Sequence, residues 1–175
     1  MKILIASALF PPDIAVPAPY IKELATRLSK KHTVTVLTYG EIPEQIPHVH
    51  IATVSKRLPA LYRISKLTSL LIKKAKKVDH ILIQNGASTE LPSVVVGFFY
   101  KKKIFLQLSD QKIKYKGWRK ILHQLACAKS KHVIRIKAPL QRPETLPFDD
   151  MPDEAFSNYE TSWQDHLREL ERILV

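Results

Sequence analysis

KILIASALFPPDIAVPAPYIKELATRLSKKHTVTVLT, residues Lys2 to Thr38, reads as strand, proline turn, helix, strand. Lys2–Ala8 is an apolar run of strand length, and Phe10-Pro11-Pro12 ends it, since proline fixes φ and removes an amide donor. Tyr20–Lys31 then carries apolar residues at helical spacing, and His32–Thr38 alternates β-branched residues as a strand does. A strand, a helix and a second strand of this kind make a βαβ unit, which opens a parallel sheet.

The same alternation continues along the chain. Val49–Val54 is a third strand, and Pro59–Lys77 a long helix with Leu61, Ile64, Leu67, Leu70 and Leu71 as its apolar positions. Asp79–Gln84 is a fourth strand, followed by the turn Asn85-Gly86-Ala87-Ser88 and a helix over Glu90–Tyr100. Lys103–Leu108, Trp118–Ala128 and His132–Ile136 supply a fifth strand, a helix expected to turn Ile121, Leu122, Leu125 and Ala126 inward, and a sixth strand. The expectation is an α/β, Rossmann-like parallel sheet of about six strands, order 3-2-1-4-5-6, with helices on both faces. Ligands of such sheets bind at the carboxyl ends of the strands, where the strand order reverses. Residues 1–137 form this domain, and 138–152 a connector containing Pro139, Pro143, Pro147 and Pro152. Residues 153–175 form a C-terminal helix expected to pack back on the domain. Ser157 and Glu160 offer that helix a capping box, and Trp163, Leu167, Leu170 and Leu174 give it an apolar stripe.

Composition narrows the chemistry. The 175 residues include one cysteine, which excludes a disulfide scaffold or cysteine-rich zinc site and suits a reducing, cytoplasmic compartment. Ile3–Phe10 with Ala6-Ser7-Ala8 imitates a signal peptide, but it runs straight into an amphipathic helix and a matching strand. The longest later apolar run, Leu91–Tyr100, is about half of what a membrane span needs. Only four glycines are present, and no phosphate-binding G-x-x-x-x-G-K-S/T, G-x-G-x-x-G or D-x-D motif occurs. Cys127, between alanines on a helix, reads as core, and His48 and His50 as surface residues without a third metal ligand.

Charge is divided unevenly. Residues 1–143 carry 26 Lys/Arg against 7 Asp/Glu, a net +19, and residues 144–175 carry 2 against 9, a net −7. A basic body seeks phosphates, in anionic lipid, nucleic acid or a nucleotide-linked substrate. Lys73, Lys74, Lys76, Lys77, Lys101 and Lys102 are the candidate anionic-surface residues. Tyr115 and Trp118 among lysines could stack bases, but Trp118 falls in register with Leu122 and Leu125, which places it in the core.

Taken in order, these segments resemble the N-terminal, acceptor-side half of GT-B glycosyltransferases, family 4 in particular, over residues 1–140. The family's F-P-P is Phe10-Pro11-Pro12, its E-L-A-x-x-L is Glu23-Leu24-Ala25 with Leu28, and its V-T-V-L-T is Val34–Thr38. Asp79–Gly86 resembles the segment leading to the acceptor-side loop, and Leu106–Asp110 the segment ending in His-Asp or Gly-Asp. At the carboxyl edge where such sheets bind ligands, Asp13, Gln84, Asn85, Ser88, Ser109 and Asp110 are the candidate contacts to the sugar or lipid-linked acceptor that the resemblance implies. For Asp13, Asn85 and Asp110 the alternative is a turn or helix-cap role.

The departures are specific. Where the family places a Gly-Gly pair, whose bare amides approach donor phosphates, this chain has Asp13–Pro19 with two prolines. Gln84 and Asn85 stand where a histidine commonly ends the fourth strand, and Ser109 where another precedes the aspartate. None of the three exchanges protons near neutral pH as histidine does. Nothing after residue 140 resembles the donor-binding half, although the last helix resembles the one that returns to the N-terminal domain in such enzymes. The expectation is an acceptor-binding domain that binds no cofactor alone and is inactive alone. A UDP- or GDP-linked sugar would be held only with a donor-binding partner chain. The alternatives are a non-catalytic binding or assembly module of the same fold, and a basic binder of anionic membrane or, less favoured, nucleic acid. The place expected for it is the cytoplasm, peripheral at the inner membrane face.

Overall fold

A computed structural model describes residues 1–15, 17–108, 115–135 and 153–174, without the side chains of Lys102 and Asp153. Ser109 and Asp110 lie outside the described residues, as does the connector 138–152. The chain divides into two compact units, Met1–Arg135 and Ile136–Val175.

In the first unit the expected alternation is present: β1 (Lys2–Ala6), α1 (Pro17–Ser29), β2 (Thr33–Tyr39), β3 (Val49–Val54), α2 (Ala60–Ala75), β4 (His80–Gln84), α3 (Ala87–Tyr100), β5 (Ile104–Leu108), α4 (Trp118–Ala128) and β6 (His132–Arg135). The six strands form one sheet in the order β3-β2-β1-β4-β5-β6, and every pairing is parallel. β1 is central, with Ile5 opposite Val36 on one side and Leu82 on the other. Its residues Ile3, Leu4 and Ile5 are fully buried, as a strand covered on both faces requires.

Period-two alternation sorts the strands' side chains to two faces. Leu4, Ala6, Leu37, Ile81, Ile83, Ile104 and Leu106 pack into one core with Leu67, Leu71 and Ala75 of α2, Val94 and Val96 of α3, and Leu122 and Ala126 of α4. Those three helices therefore form a single layer. Ile3, Ile5, Val34, Val36, Leu82 and Phe105 alternate with the first set and line the other face, the side of α1 with its buried Ile21, Leu24, Ala25 and Leu28. β2 reaches β3 through residues 40–48 with no intervening helix.

Several helix faces differ from the sequence expectation. Leu67, Leu71 and Ala75 form the inward line of α2, and Leu61, about 120° round the helix from Leu67, is exposed. In α4 only Leu122 and Ala126 are buried. Ile121 and Leu125, each one residue earlier and so about 100° away, face solvent. Trp118 is exposed rather than core, with the Arg119 guanidinium 5.7 Å from its ring centre. α3 begins at Ala87 instead of Glu90, which moves Ser88 from a turn into the helix. Gly86 precedes it at φ 149°, a conformation that suits glycine.

The second unit contributes α5 (Asp153–Leu174). It starts four residues before the expected cap, so Ser157 and Glu160 lie within the helix. Acidic Glu154 suits its first turn, where the helix dipole is positive. Tyr159, Trp163, His166, Leu170 and Leu174 share one face, and the Trp163 ring meets Tyr159 and His166 edge-on at 6.4 and 5.8 Å.

α3 and α4 approach closely at Gly97, where an added Cβ would lie 2.7 Å from Lys129 Cβ and 2.8 Å from its carbonyl oxygen. Gly97→Ala would gain about 1 kcal/mol of helix propensity but overpack this contact, typically a loss of about 1–3 kcal/mol. We expect a lower urea midpoint for Gly97→Ala; an unchanged or higher midpoint would show that the helices separate freely.

Burial holds the His80 imidazole below the usual histidine range, with the Asp79 carboxylate partly opposing. A base depressed in the fold binds protons more readily when unfolded. Its contribution is present above the unfolded pKa and is lost as pH falls below about 6.5. Urea midpoints should therefore fall from pH 7 toward acid, and His80→Phe should reduce that fall.

Candidate functional site

The carboxyl ends of β1 and β4 lie side by side, and the chain leaves them toward opposite helix layers: from β1 into α1, and from β4 into α3. This divergence makes the crevice in which open α/β sheets hold ligands. The residues around it fall into three groups.

The first group pins the loop after β1. Ser7 Oγ donates to the Leu9 carbonyl at 2.7 Å, and the Asp13 amide donates to the Phe10 carbonyl at 3.1 Å. The Pro11-Pro12 bond is cis. The Phe10 amide donates to Asp13 Oδ2 at 3.3 Å, and Lys56 Nζ reaches both Asp13 oxygens at 2.6 and 2.7 Å. Asp13 is thus a clip between the loops after β1 and β3. Arg63 continues the clip, with Nη1 donating to the Lys56 carbonyl at 3.0 Å and its guanidinium 5.4 Å from the Tyr39 ring centre. Tyr39 donates to the Ser88 carbonyl at 3.0 Å, so Ser88 contributes its backbone. Burial pushes the Tyr39 phenol up to about 12 against the opposing Arg63 charge, so it remains a donor at neutral pH.

The second group is a polar row on the α1 side of the sheet. Gln84 ends β4, Gln107 is the last residue but one of β5, and the two are register partners, buried at 2% and 0% exposure. Gln84 Nε2 donates to Asn85 Oδ1 at 2.9 Å, and Gln107 Nε2 to the Tyr20 hydroxyl at 3.2 Å. The Asn85 amide donates to the Gln107 carbonyl at 2.9 Å. Among the described residues, Gln84 Oε1 and Gln107 Oε1 have no hydrogen-bond partner. A buried acceptor left without a donor costs about 1–3 kcal/mol, and both of these lie enclosed at the carboxyl end of the sheet. Burial pushes the Tyr20 phenol strongly up, against the lowering effect of Gln107.

The third group lies between α3 and α4 and is the part that sequence reasoning missed. Glu90, 1% exposed in the first turn of α3, is 2.8 Å from His123 Nδ1. The Tyr115 ring stacks on the imidazole at 4.4 Å, and its hydroxyl accepts from Asn85 Nδ2 at 3.2 Å. Cys127 Sγ is 3.6 Å from His123 Nε2. Cys127 is half-buried at the edge of the core, and burial together with the Glu90 charge pushes its thiol up, away from nucleophilic thiolate. The signal available in the sequence was an acid and a histidine on consecutive helices; nothing in their spacing announces that the helices pack together there.

The lysines of the anionic-surface group lie elsewhere. Lys73, Lys76, Lys77 and Lys101 are exposed and Lys74 is half-buried. A cavity of about 520 Å³ opens at the opposite edge of the sheet, lined by Ser29, His32, Thr33, His48, Val49 and His50. Its position, where β2 and β3 begin, separates it from the crevice. Among the described residues no group of three or more His, Cys, Asp or Glu side chains could hold a metal ion.

His123→Ala would leave the buried Glu90 side chain without this hydrogen-bond partner, a change that typically costs about 1–3 kcal/mol or more. Glu90→Gln keeps a polar group facing the ring and should cost clearly less in urea denaturation. Equal losses for the two variants would contradict a paired Glu90.

No protein-family model and no curated protein sequence matches the chain. Solved structures do. HepE of Anabaena, in complex with UDP and glucose, matches 76% of this chain with a TM-score of 0.55 and 14% identity. The C-terminal domain of the coenzyme A biosynthesis bifunctional protein CoaBC matches 99% of it, and 95% of its own length, at 0.54 and 10%. A protein assigned as a UDP-N-acetylglucosamine 2-epimerase from Listeria monocytogenes matches 91% at 0.50 and 14%. The chain spans 37% of the HepE chain and 41% of the epimerase chain. At these identities the likeness is one of fold: the chain shares a Rossmann-like α/β fold with parts of HepE and of the epimerase-assigned protein and with the CoaBC domain.

Proposed function

We propose that this chain is an acceptor-binding domain of the glycosyltransferase type, family 4-like, whose crevice receives the hydroxyl groups of a sugar or lipid-linked sugar. The observation that carries this reading is the pair of buried carbonyl oxygens of Gln84 and Gln107, without partners among the described residues, near the carboxyl ends of β4 and β5 and beside the divergence of β1 and β4. Sugar hydroxyls are donors of the size and polarity such acceptors take. Asn85, held by Gln84 and Tyr115, extends the polar surface, and Asp13 and Ser88 stabilise the loops around it. Ser109 and Asp110 follow β5 in sequence and complete the proposed acceptor set.

A UDP- or GDP-linked donor is, in this proposal, held by a separate donor-binding domain or partner chain, and transfer requires both. The likeness to part of HepE and part of the epimerase supports a domain that works beside another. The second reading, a non-catalytic binding module, draws on the state of the crevice. Among its described residues Asp13 is tied to Lys56, and His123 lies between α3 and α4 against Glu90 and Tyr115. Neither is a free proton-transfer group facing the crevice.

Calorimetric titration separates the readings. The acceptor reading predicts weak binding of simple glycosides that Gln84→Leu with Gln107→Leu abolishes, and no turnover of UDP-glucose or GDP-mannose by the chain alone. Transfer by the purified chain alone would refute the need for a donor-binding partner. Glycoside binding unaffected by the two substitutions would refute the site.

A further inference from the structure

The end of the helix layer remote from the crevice carries a second feature. In βαβ units the helices run antiparallel to the strands, so α2, α3 and α4 all end at the edge where the strands begin. Lysines collect there: Lys73, Lys74, Lys76 and Lys77 at the end of α2, Lys101 and Lys103 after α3, and Lys129 and Lys131 after α4. Two contacts draw these ends together. Lys103 Nζ donates to the carbonyls of Ala75 and Val78 at 3.3 and 2.7 Å, tying the end of α3 to that of α2. Lys129 Nζ lies 3.8 Å from the centre of the Phe98 ring, tying α4 to α3.

Cations at helix C-termini complement the dipole, which accounts for lysines as such and for Lys103 in particular. It does not account for Phe98 and Phe99, adjacent in the last turn of α3 and 65% and 74% exposed. Two neighbouring phenyl rings held in water amid lysines form an apolar tip with a cationic collar. Acidic residues are nearly absent. None occurs from Gln45 to Val78, and from Leu91 to Arg135 the sequence holds eleven Lys/Arg and only Asp110. Asp79 accepts from the Lys2 amide at 2.7 Å.

We propose that this end of the domain docks on an anionic phospholipid surface, with Phe98 and Phe99 entering the headgroup–acyl boundary and the lysine collar reaching lipid phosphates. Long lysine stems can lie along the apolar tip while their ammonium groups stay at phosphate level. A second copy of this chain is a poor occupant, because face-to-face docking would oppose lysines to lysines. The inference is independent of what the crevice binds. It has one geometric consequence: eight residues of α3 separate Phe98 from Glu90, so the crevice end stands about 12 Å or more above the membrane tip.

Flotation with vesicles tests it, using phosphatidylcholine alone and phosphatidylcholine mixed with phosphatidylglycerol across a salt series. Binding is expected on the mixed vesicles only and should weaken as salt rises. Phe98→Ser with Phe99→Ser should lower partitioning about tenfold or more. Lys76→Glu with Lys101→Glu should lower it about fivefold or more for each charge. All four positions have side chains outside the core, and Leu61→Ser, an exposed leucine at the other end of α2, should leave binding unchanged. Equal flotation on neutral vesicles would overturn the proposal. So would loss of binding in Leu61→Ser to the same degree, or no flotation while a single-stranded oligonucleotide binds.

Discussion

Everything in the first unit depends on β1 being paired on both edges, by β2 on one side and β4 on the other. A short strand can be central only if both faces are covered, and Ile3, Leu4 and Ile5 meet that demand with no exposed surface. Pairing with both neighbours also forces the chain to leave β1 and β4 toward opposite layers. The crevice is a consequence of that reversal and not a separate invention. The Asp13–Lys56 clip, the Tyr39–Ser88 bond and the Gln84–Asn85–Tyr115 chain are the local devices that hold its rim.

The two ends of the domain are chemically unlike. At the carboxyl ends of the strands the charges of Asp13 and Lys56 are paired, and Gln84 and Gln107 hold buried carbonyl acceptors with no partner among the described residues. The opposite end of the helix layer presents lysines and two phenyl rings. The crevice, where charges are paired, differs from the basic end, where lysines outnumber acids. The net positive charge noted in the sequence therefore belongs in good part to a surface distant from the crevice.

Strand order and nearly every element could be read from the sequence because periodicity reports burial directly. Val49–Val54 and Trp118–Ala128 coincide with the expected bounds, and the other elements of the first unit differ by no more than three residues at either end. Which face of a helix turns inward was less legible. Leu61, Ile121, Leu125 and Trp118 satisfy a helical apolar pattern, yet the structure buries a neighbouring line and leaves these exposed. An amphipathic period fixes the width of a stripe, while the layer's geometry chooses its centre. Of the site residues, Gln84 and Asn85 were visible because they end a strand at the switch point. Gln107 stood within the expected fifth strand, and its orphaned carbonyl became apparent only once α1 and Tyr20 were in place. Glu90 and His123 are 33 residues apart and meet only through helix packing, which no local pattern encodes.

The central claim is that the ligand edge is the polar row of Gln84 and Gln107. Its most direct test is a chemical-shift titration of nitrogen-labelled protein with N-acetylglucosamine and glucose. The account predicts that the side-chain amide signals of Gln84, Gln107 and Asn85 move together and saturably, while those around Phe98 and Phe99 stay in place. Shifts confined to the groove of His32, His48 and His50, with the glutamine amides unmoved, would contradict it.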